Sequence, residues 1–130
     1  MRRLSLIAVL LLAACSHTAP GTFEQPAASS FHAGPCRAVA EAVLSVGKDA
    51  HAIAQNDKPD ERMAARLKQN QDVIDATQPS LEPALKPPFA QLVIGIGILR
   101  IRSDSNTLEA SVGQAALKDY QGVVDACTRI

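Results

Sequence analysis

The sequence predicts an all-α protein: a small four-helix up-down bundle closed by a disulfide bond between the start of the first helix and the end of the last helix. Three observations support this fold class. Apolar residues recur every three or four positions in four segments after residue 34. Turns rich in proline or polar residues separate these segments. Cys36 and Cys127 lie at the two ends of the set.

The first two helices follow from apolar periodicity and from the residues that bound it. The first is expected to begin at Pro35, because proline fits the first turn of a helix, and to continue through Gln55. Polar residues at 56–58 end it. The second is expected to begin at Pro59, with acidic residues next at the positive end of the helix dipole. Polar residues at 70–71 interrupt its apolar seam, so this helix is expected to be the more exposed one.

The segment 89–101 can be read as a strand or as a helix. Its Val, Ile and Gly composition is typical of a strand, but no neighbouring segment offers a strand to pair with. We therefore expect a central helix, apolar nearly all round because partner helices surround it. Gly95 and Gly97 each cost about 1 kcal/mol against alanine in a helix, which a close helix crossing or a gap for a ligand would justify. Its thirteen residues are too few to cross a membrane.

The fourth helix is predicted after a turn at 103–105. Asn106 and Glu109 are spaced as in a capping box, in which two side chains satisfy the free backbone N–H groups at a helix start. An apolar seam then continues from Leu108 to the end of the chain. Between the second and third helices, the proline-rich segment 79–88 is expected to be a connector.

The first fifteen residues have the layout of an export signal. Arg2 and Arg3 precede an apolar run over 4–12, which is too short to remain in a bilayer as a spanning helix. These arginines and the abrupt end of the run disfavour a cytosolic helix. The stretch Leu12-Ala13-Ala14-Cys15 resembles the lipobox of bacterial lipoprotein signal peptides.

The resemblance implies that a diacylglyceryl group is transferred to the sulfur of Cys15 and that the chain is cleaved before this residue. The mature protein would then be exported and anchored to the cell envelope by lipid. It would lie in the outer membrane of a Gram-negative host, facing the periplasm, or on the outer face of the plasma membrane of another host. An ordinary signal peptide cut after Ala19 is the alternative, although Pro20 is a poor residue after a cleavage site.

The chain therefore divides into a signal peptide at 1–14, a lipidated cysteine with a linker at 15–34, and a bundle domain at 35–130. Residues 16–34 are rich in Pro, Gly, Ser, Thr and Ala and show no apolar periodicity. Such a segment cannot bury enough surface to order itself, so we expect a flexible tether.

The three cysteines are an odd number for an exported protein. If Cys15 carries lipid, Cys36 and Cys127 remain as a pair in an oxidising compartment. In an up-down bundle, the start of the first helix and the end of the fourth lie at the same pole. The sequence therefore predicts a disulfide bond between them, and two buried free thiols are the alternative.

Composition argues against several function classes. The 13 basic and 13 acidic side chains balance, and only 3% of residues are aromatic, which offers little to nucleic acids or flat cofactors. We find no phosphate-binding loop, no zinc-protease motif and no nucleophile with a base at a recognisable spacing. The sequence predicts no catalytic residue, cofactor or metal site.

We therefore expect a non-enzymatic, membrane-anchored module that binds another envelope protein, of the inhibitor, immunity, exclusion or assembly type. The alternative is a carrier or sensor of a small apolar ligand such as a lipid, because a glycine-notched third helix could line a cavity between helices. An enzyme assembled from dispersed residues is the weakest of the three hypotheses. The ligand-binding residues of the carrier alternative are not predicted.

Overall fold

The computed structural model describes residues 23–129 of the chain. The signal peptide and Cys15 lie outside this range, so the lipidation hypothesis stays a prediction. Four helices account for most of the described chain, and none of its residues forms a strand. Their bounds are α1 Pro35–Ala54, α2 Met63–Thr77, α3 Lys86–Asp104 and α4 Ala110–Thr128. Three short 3₁₀ turns cover Ala28–Ser30, Gln78–Ser80 and Pro83–Leu85.

The four helices form a closed ring of neighbours. Contacts join α1 to α2, α2 to α3, α3 to α4, and α4 back to α1. Because consecutive helices run in alternating directions, α1 and α3 are parallel and occupy diagonal corners. The predicted all-α bundle is confirmed.

The core is aliphatic, with a few aromatic rings that fill its larger spaces. Each helix contributes residues at spacings of three and four, which is the pattern that predicted the helices. The largest side chains that are fully buried on the helices are Tyr120, Phe89, Leu67, Ile74, Leu92, Ile96, Leu99, Val39, Val43, Val46 and Val123.

The helices α1 and α4 make the closest contact, and two glycines permit it. A Cβ atom on Gly113 would lie 2.7 Å from the carbonyl oxygen of Ala50, which is closer than real Cβ atoms approach a neighbouring backbone. A Cβ atom on Gly47 would lie 2.5 Å from the ring of Tyr120. Each glycine therefore makes room for a neighbour: the backbone of α1 in one case and an aromatic ring in the other.

The predicted disulfide bond is confirmed. It joins Cys36 in the first turn of α1 to Cys127 in the last turn of α4, with the two Cα atoms 5.6 Å apart. Both cysteines are buried. The bond closes one end of the bundle, which we call the disulfide pole; the ends of α1 and α3 lie at the opposite pole.

The segment 89–101 is helical throughout, within the longer helix α3. The helix predicted for this segment is therefore correct, and the strand interpretation is wrong. The strand-like composition is overridden because packing against α2 and α4 buries one apolar face of the segment, and the helix satisfies its own backbone hydrogen bonds.

The predicted starts of α2 and α4 are wrong by several residues. Residue 59 precedes a turn in which the carboxylate of Asp60 accepts a hydrogen bond from the backbone N–H of Arg62 at 2.8 Å, and α2 begins only at Met63. The capping box at 106–109 is not formed, because Asn106 adopts a left-handed conformation after α3 and α4 begins only at Ala110, without a side-chain cap.

Both turns at the opposite pole begin with the same helix-ending motif. Asn56 and Asn106 adopt positive φ values of 59° and 54°, each two residues after the last residue of α1 or α3. The N–H group of the following residue returns to a helix carbonyl in each case, from Asp57 to Ala52 at 2.9 Å and from Thr107 to Arg102 at 2.8 Å. Asn106 therefore ends α3, whereas the sequence pattern assigned it to the start of α4.

The flexible linker predicted for 16–34 is also wrong in its second half. Residues 23–34, which we call the strap, lie along the bundle. Phe31 is 1% exposed, and the ring of Phe23 stacks on that of His51 with their centroids 4.5 Å apart. The side-chain amide of Gln25 donates to the carbonyl of Leu44 at 2.8 Å. Two phenylalanines supply the apolar surface that the composition-based argument overlooked.

Candidate protein-contact surface

The outer face of α3 carries three exposed isoleucines in one row. Ile94, Ile98 and Ile101 are 55%, 46% and 68% exposed, respectively. Their spacing of four and three places them on one side of the helix. We call them the isoleucine row. Val73 on α2 is the other large apolar side chain exposed among residues 23–129, at 41%, and it lies on a different helix.

The row exists because α3 has more apolar residues than the bundle can cover. Its inner face buries Phe89, Leu92, Ile96 and Leu99 between α2 and α4. The sequence predicts that partner helices surround α3, but within residues 23–129 nothing covers its outer face. Three large apolar side chains are rarely exposed to water in one row. Exposed apolar patches of this kind mark contact surfaces.

A shallow groove continues the row toward α4. It has a volume of about 180 Å³, and its lining is mostly apolar. The lining residues are Gly95, Ile98, Ser111, Val112, Ala115, Ala116 and Asp119. Small side chains on α4 leave the space of this groove open, so a partner side chain can reach down beside Ile98.

One carboxylate borders this groove. Burial raises the pKa of Asp119 above its ordinary value, and a hydrogen bond from Gln91 opposes the shift. A Cβ atom on Gly95 would lie 2.6 Å from Oδ2 of Asp119, so the glycine makes room for this side chain. The space that the sequence left open for a ligand at Gly95 is thus occupied by a residue of α4.

Gly97 has a different environment. A Cβ atom at this position would approach only Nε2 of Gln71, at 4.0 Å, which is an ordinary contact. Packing inside the domain therefore does not require glycine here, although glycine weakens a helix by about 1 kcal/mol against alanine. Gly97 borders the isoleucine row at its middle.

The length of α3 also differs from the expectation. With the preceding turn it covers Pro83–Asp104, 22 residues that include an 18-residue window of mean hydropathy 1.3, and by length and composition it could cross a membrane. The thirteen-residue estimate was too short. A helix packed inside a bundle can have the same composition, and α3 contacts both α2 and α4.

A larger cleft lies elsewhere, between the strap and the helices α1 and α2. Its volume is about 530 Å³, and charged side chains contribute to its lining. Asp49, only 7% exposed, accepts hydrogen bonds from Nε and Nη2 of Arg66 at 2.9 and 2.5 Å. Nη2 of Arg66 also donates to Asp60 at 2.9 Å. The bonds to Asp49 and then to Asp60 raise the pKa of Arg66, and the bond from Arg66 lowers that of Asp60.

This ion-pair network holds α1, α2 and the turn between them together. Glu41 and Lys48 also line the cleft, and a charged lining of this kind is a poor environment for an apolar molecule. Four clefts within residues 23–129 open on the surface, whereas the carrier alternative needs a cavity between the helices.

The structure brings together two of the three cysteines singled out from the sequence. Cys36 and Cys127 are brought together, and Cys15 lies outside the described residues. Across residues 23–129, no three His, Cys, Asp or Glu side chains are grouped in a way that could hold a metal ion. The isoleucine row was missed, although the spacing of 94, 98 and 101 was readable once a helix was assumed.

The fold and the isoleucine row are the basis for a functional proposal, because comparison with known proteins gives no other. No family model, no curated protein and no solved structure matches this chain.

Proposed function

We propose that this protein is a lipid-anchored module of the bacterial cell envelope that binds another protein without catalysis, and that the isoleucine row is its contact surface. The exposure of Ile94, Ile98 and Ile101 is the observation that carries the proposal. Burying such side chains is favourable by about 1.5–3 kcal/mol each when exposure is complete, so three half-exposed ones offer roughly 3 kcal/mol to a partner.

The shape of the surface suits a protein partner. The row runs along a rigid helix, and the adjoining groove accepts a side chain beside Ile98. Binding energy in protein interfaces concentrates in a few desolvated apolar anchors with polar groups around them. Gln91, Arg102 and Asp119 border the row and supply such a rim.

The proposed anchor is supported by the lipobox resemblance and by the path of the strap. Phe23 stacks on His51, in the last turn of α1, so the chain approaches the bundle near the opposite pole. Seven residues at 16–22 then connect Phe23 to Cys15. Fully extended, this connection reaches at most about 28 Å. The tether is therefore much shorter than the sequence suggested, and a lipidated Cys15 would hold the bundle close to the membrane.

A site-specific photo-crosslink tests the contact surface. A photo-reactive phenylalanine derivative replaces Ile98 in the full chain, which is expressed in a bacterial host and irradiated in intact envelopes. We expect a covalent adduct with a protein. The same derivative at Val73, which is similarly exposed on another helix, is the matched control and should give none. No protein adduct at position 98, or equal adducts at both positions, would contradict the proposal.

Intact-mass analysis tests the anchor separately. Protein extracted from membranes is measured before and after reduction. The proposal expects a chain that begins at Cys15 and carries acyl groups, with two hydrogens added on reduction of the disulfide bond. A chain that retains Met1 and an unmodified Cys15 would contradict the anchor.

A further inference from the structure

We infer that the partner, a different protein, places a basic side chain of lysine or arginine in the groove beside Ile98, and that Asp119 binds its cationic end. This inference rests on the proposed function, in which the isoleucine row is a protein-contact surface, and it names the chemistry of the partner. Asp119 then determines specificity, because it distinguishes a partner segment with a basic side chain from one that is wholly apolar.

Asp119 is a partly buried residue at the margin of the groove. It lies on α4 and approaches Gly95 of α3, where a Cβ atom would come within 2.6 Å of Oδ2. Because position 95 is a glycine, the carboxylate can lie close to α3, next to the groove that Ile98 also lines. Its charge is thus beside the isoleucine row, where a partner that covers the row would also cover the carboxylate.

No basic side chain within residues 23–129 forms an ion pair with Asp119. The ion pairs in this part of the chain join Arg66 to Asp49 and Asp60, Lys68 to Asp72, and Arg129 to Asp125. Arg100, on the same helix as Gly95, donates instead to the side chain of Gln71 at 2.6 Å. The cation that would pair with Asp119 therefore has to come from outside these residues.

The polar surroundings of Asp119 satisfy it only in part. Burial raises the pKa of this carboxyl group, and the hydrogen bond from Gln91 and then the charge of Lys118 oppose the shift. An ionised carboxylate can accept about four hydrogen bonds, so one amide leaves most of its capacity open. Desolvation thus already disfavours the charged form before any partner binds.

This state of Asp119 restricts what can cover the isoleucine row. Removing an ionised carboxylate from water is strongly unfavourable unless a hydrogen-bonded opposite charge compensates for the loss. A wholly apolar partner surface would leave Asp119 buried and unpaired. The partner that fits therefore has a cation at this point within an otherwise apolar contact.

The groove suits both parts of a lysine or arginine side chain. Its volume is about 180 Å³, and its lining is mostly apolar, with Ile98, Val112 and Ala115 among the residues that form it. The methylene stem of a basic side chain packs on such a surface while its charged end extends to a polar group. Asp119 is the charged residue of this lining and provides that group.

Photo-crosslinking of Asp119 variants tests the inference. The photo-reactive phenylalanine derivative replaces Ile94, which belongs to the row but does not line the groove, and the full chain is irradiated in intact envelopes. In this background, Asp119→Asn and Asp119→Leu remove the charge and approximately preserve the shape of the side chain. We expect each to reduce the yield of the protein adduct about tenfold, as for the loss of one member of a buried charge pair.

Asp125→Asn is the matched control. It removes a carboxylate from the same helix that pairs with Arg129 and does not line the groove. The yield of the adduct should stay unchanged in this variant. An equal reduction in Asp125→Asn and Asp119→Asn would show that the net charge of the domain matters and not the groove, which would contradict the inference.

Charge exchange gives a readout that a purely structural role of Asp119 would not change. Mass spectrometry of the wild-type adduct identifies the partner and the segment joined to position 94. Asp119→Lys is expected to reduce the adduct by more than about tenfold, because like charges then meet. Replacing one basic residue of that segment with aspartate should restore about half of the adduct or more. Such a rescue excludes a folding defect as the cause of the loss.

Three further results would overturn the inference. An equal or higher yield in Asp119→Leu would show that an apolar side chain occupies the groove. An adduct with a lipid or with a second copy of this chain would identify a different occupant. A partner segment in which no basic residue restores the adduct of Asp119→Lys would exclude the ion pair.

The inference and the proposed function can fail separately. If the Asp119 variants and the wild type give the same protein adduct at position 94, the row is still a contact surface and only the role of Asp119 is refuted. If no protein is captured at position 94 or at position 98, both fail.

Discussion

At the residue scale, Gly113 and Gly122 of α4 have opposite surroundings, and alanine should change the stability of the protein in opposite directions at the two positions. Alanine at Gly113 would press its Cβ atom against the backbone of α1, which cannot give way easily. We expect Gly113→Ala to lower the free energy of unfolding by about 1–3 kcal/mol, as for overpacking elsewhere. Gly122 has open space around it, so Gly122→Ala should raise the free energy of unfolding by about 0.5–1 kcal/mol. Urea unfolding of the chain without residues 1–15 measures both, and equal effects would contradict this packing.

Tyr120 makes the free energy of unfolding of the bundle depend on pH in the alkaline range. Burial raises the pKa of its phenol above the ordinary value of 10.0, and the hydrogen bond from Gln25 partly opposes this. The protonated phenol is favoured in the folded state, so its contribution is complete below pH 10 and is lost as the pH rises through the folded pKa.

The variant Tyr120→Phe lacks this titration. Between pH 8 and pH 11 the wild type should therefore lose more free energy of unfolding than Tyr120→Phe, as measured by urea unfolding at each pH. Parallel losses in the two proteins would show that the phenol does not titrate against folding.

At the element scale, the strap is a structural part of the domain. Phe31 is fully buried beside the disulfide pole, and the N–H of His32 donates to the carbonyl of Cys127 at 2.8 Å. We expect Phe31→Ala to lower the free energy of unfolding by about 3–5 kcal/mol, as for other buried phenylalanines.

The partly buried Phe23 provides the comparison for this prediction. Phe23→Ala should cost less than Phe31→Ala in the same urea titration. If Phe31→Ala cost under about 0.5 kcal/mol, the strap would be an exposed tether as the composition suggested.

Local sequence patterns predicted the number of helices, and they predicted the helix boundaries less well. The apolar periodicity and the turn residues between segments predicted four helices, and Pro35 marked the start of α1 correctly. The start of α4 was wrong because Asn106 can cap a helix start or end one in the left-handed conformation, and only the position of Arg102 decides between these roles. The strap was missed because its contacts, such as the stacking of Phe23 on His51, join residues far apart in the chain and leave no periodic signal.

The contact surface shows the same limit. The sequence of α3 shows that the helix is apolar on all sides. Whether its outer face is covered depends on how many neighbouring helices the bundle supplies. The ring of four helices gives α3 two neighbours and leaves the isoleucine row in water.

At the scale of the whole molecule, one covalent bond closes the ring. The disulfide bond joins cysteines 91 residues apart, so it restricts almost the entire unfolded domain. We expect its loss in the double variant Cys36→Ala and Cys127→Ala to lower the free energy of unfolding by about 2–5 kcal/mol. Urea unfolding measures this, and reduction of the wild type should give a loss of similar size. A loss below about 0.5 kcal/mol would mean that the helices alone fix the closed ring.

The closed bundle and the uncovered isoleucine row describe a rigid module that presents one apolar face, and the proposed lipid anchor would hold this module beside a membrane. This account requires that the row is covered when the protein is in place. The rate at which a maleimide labels Ile98→Cys measures that covering directly. We expect labelling at least tenfold slower in intact envelopes than in the purified chain without residues 1–15, and an unchanged rate for Val73→Cys. Equal rates for Ile98→Cys in the two settings would contradict the account.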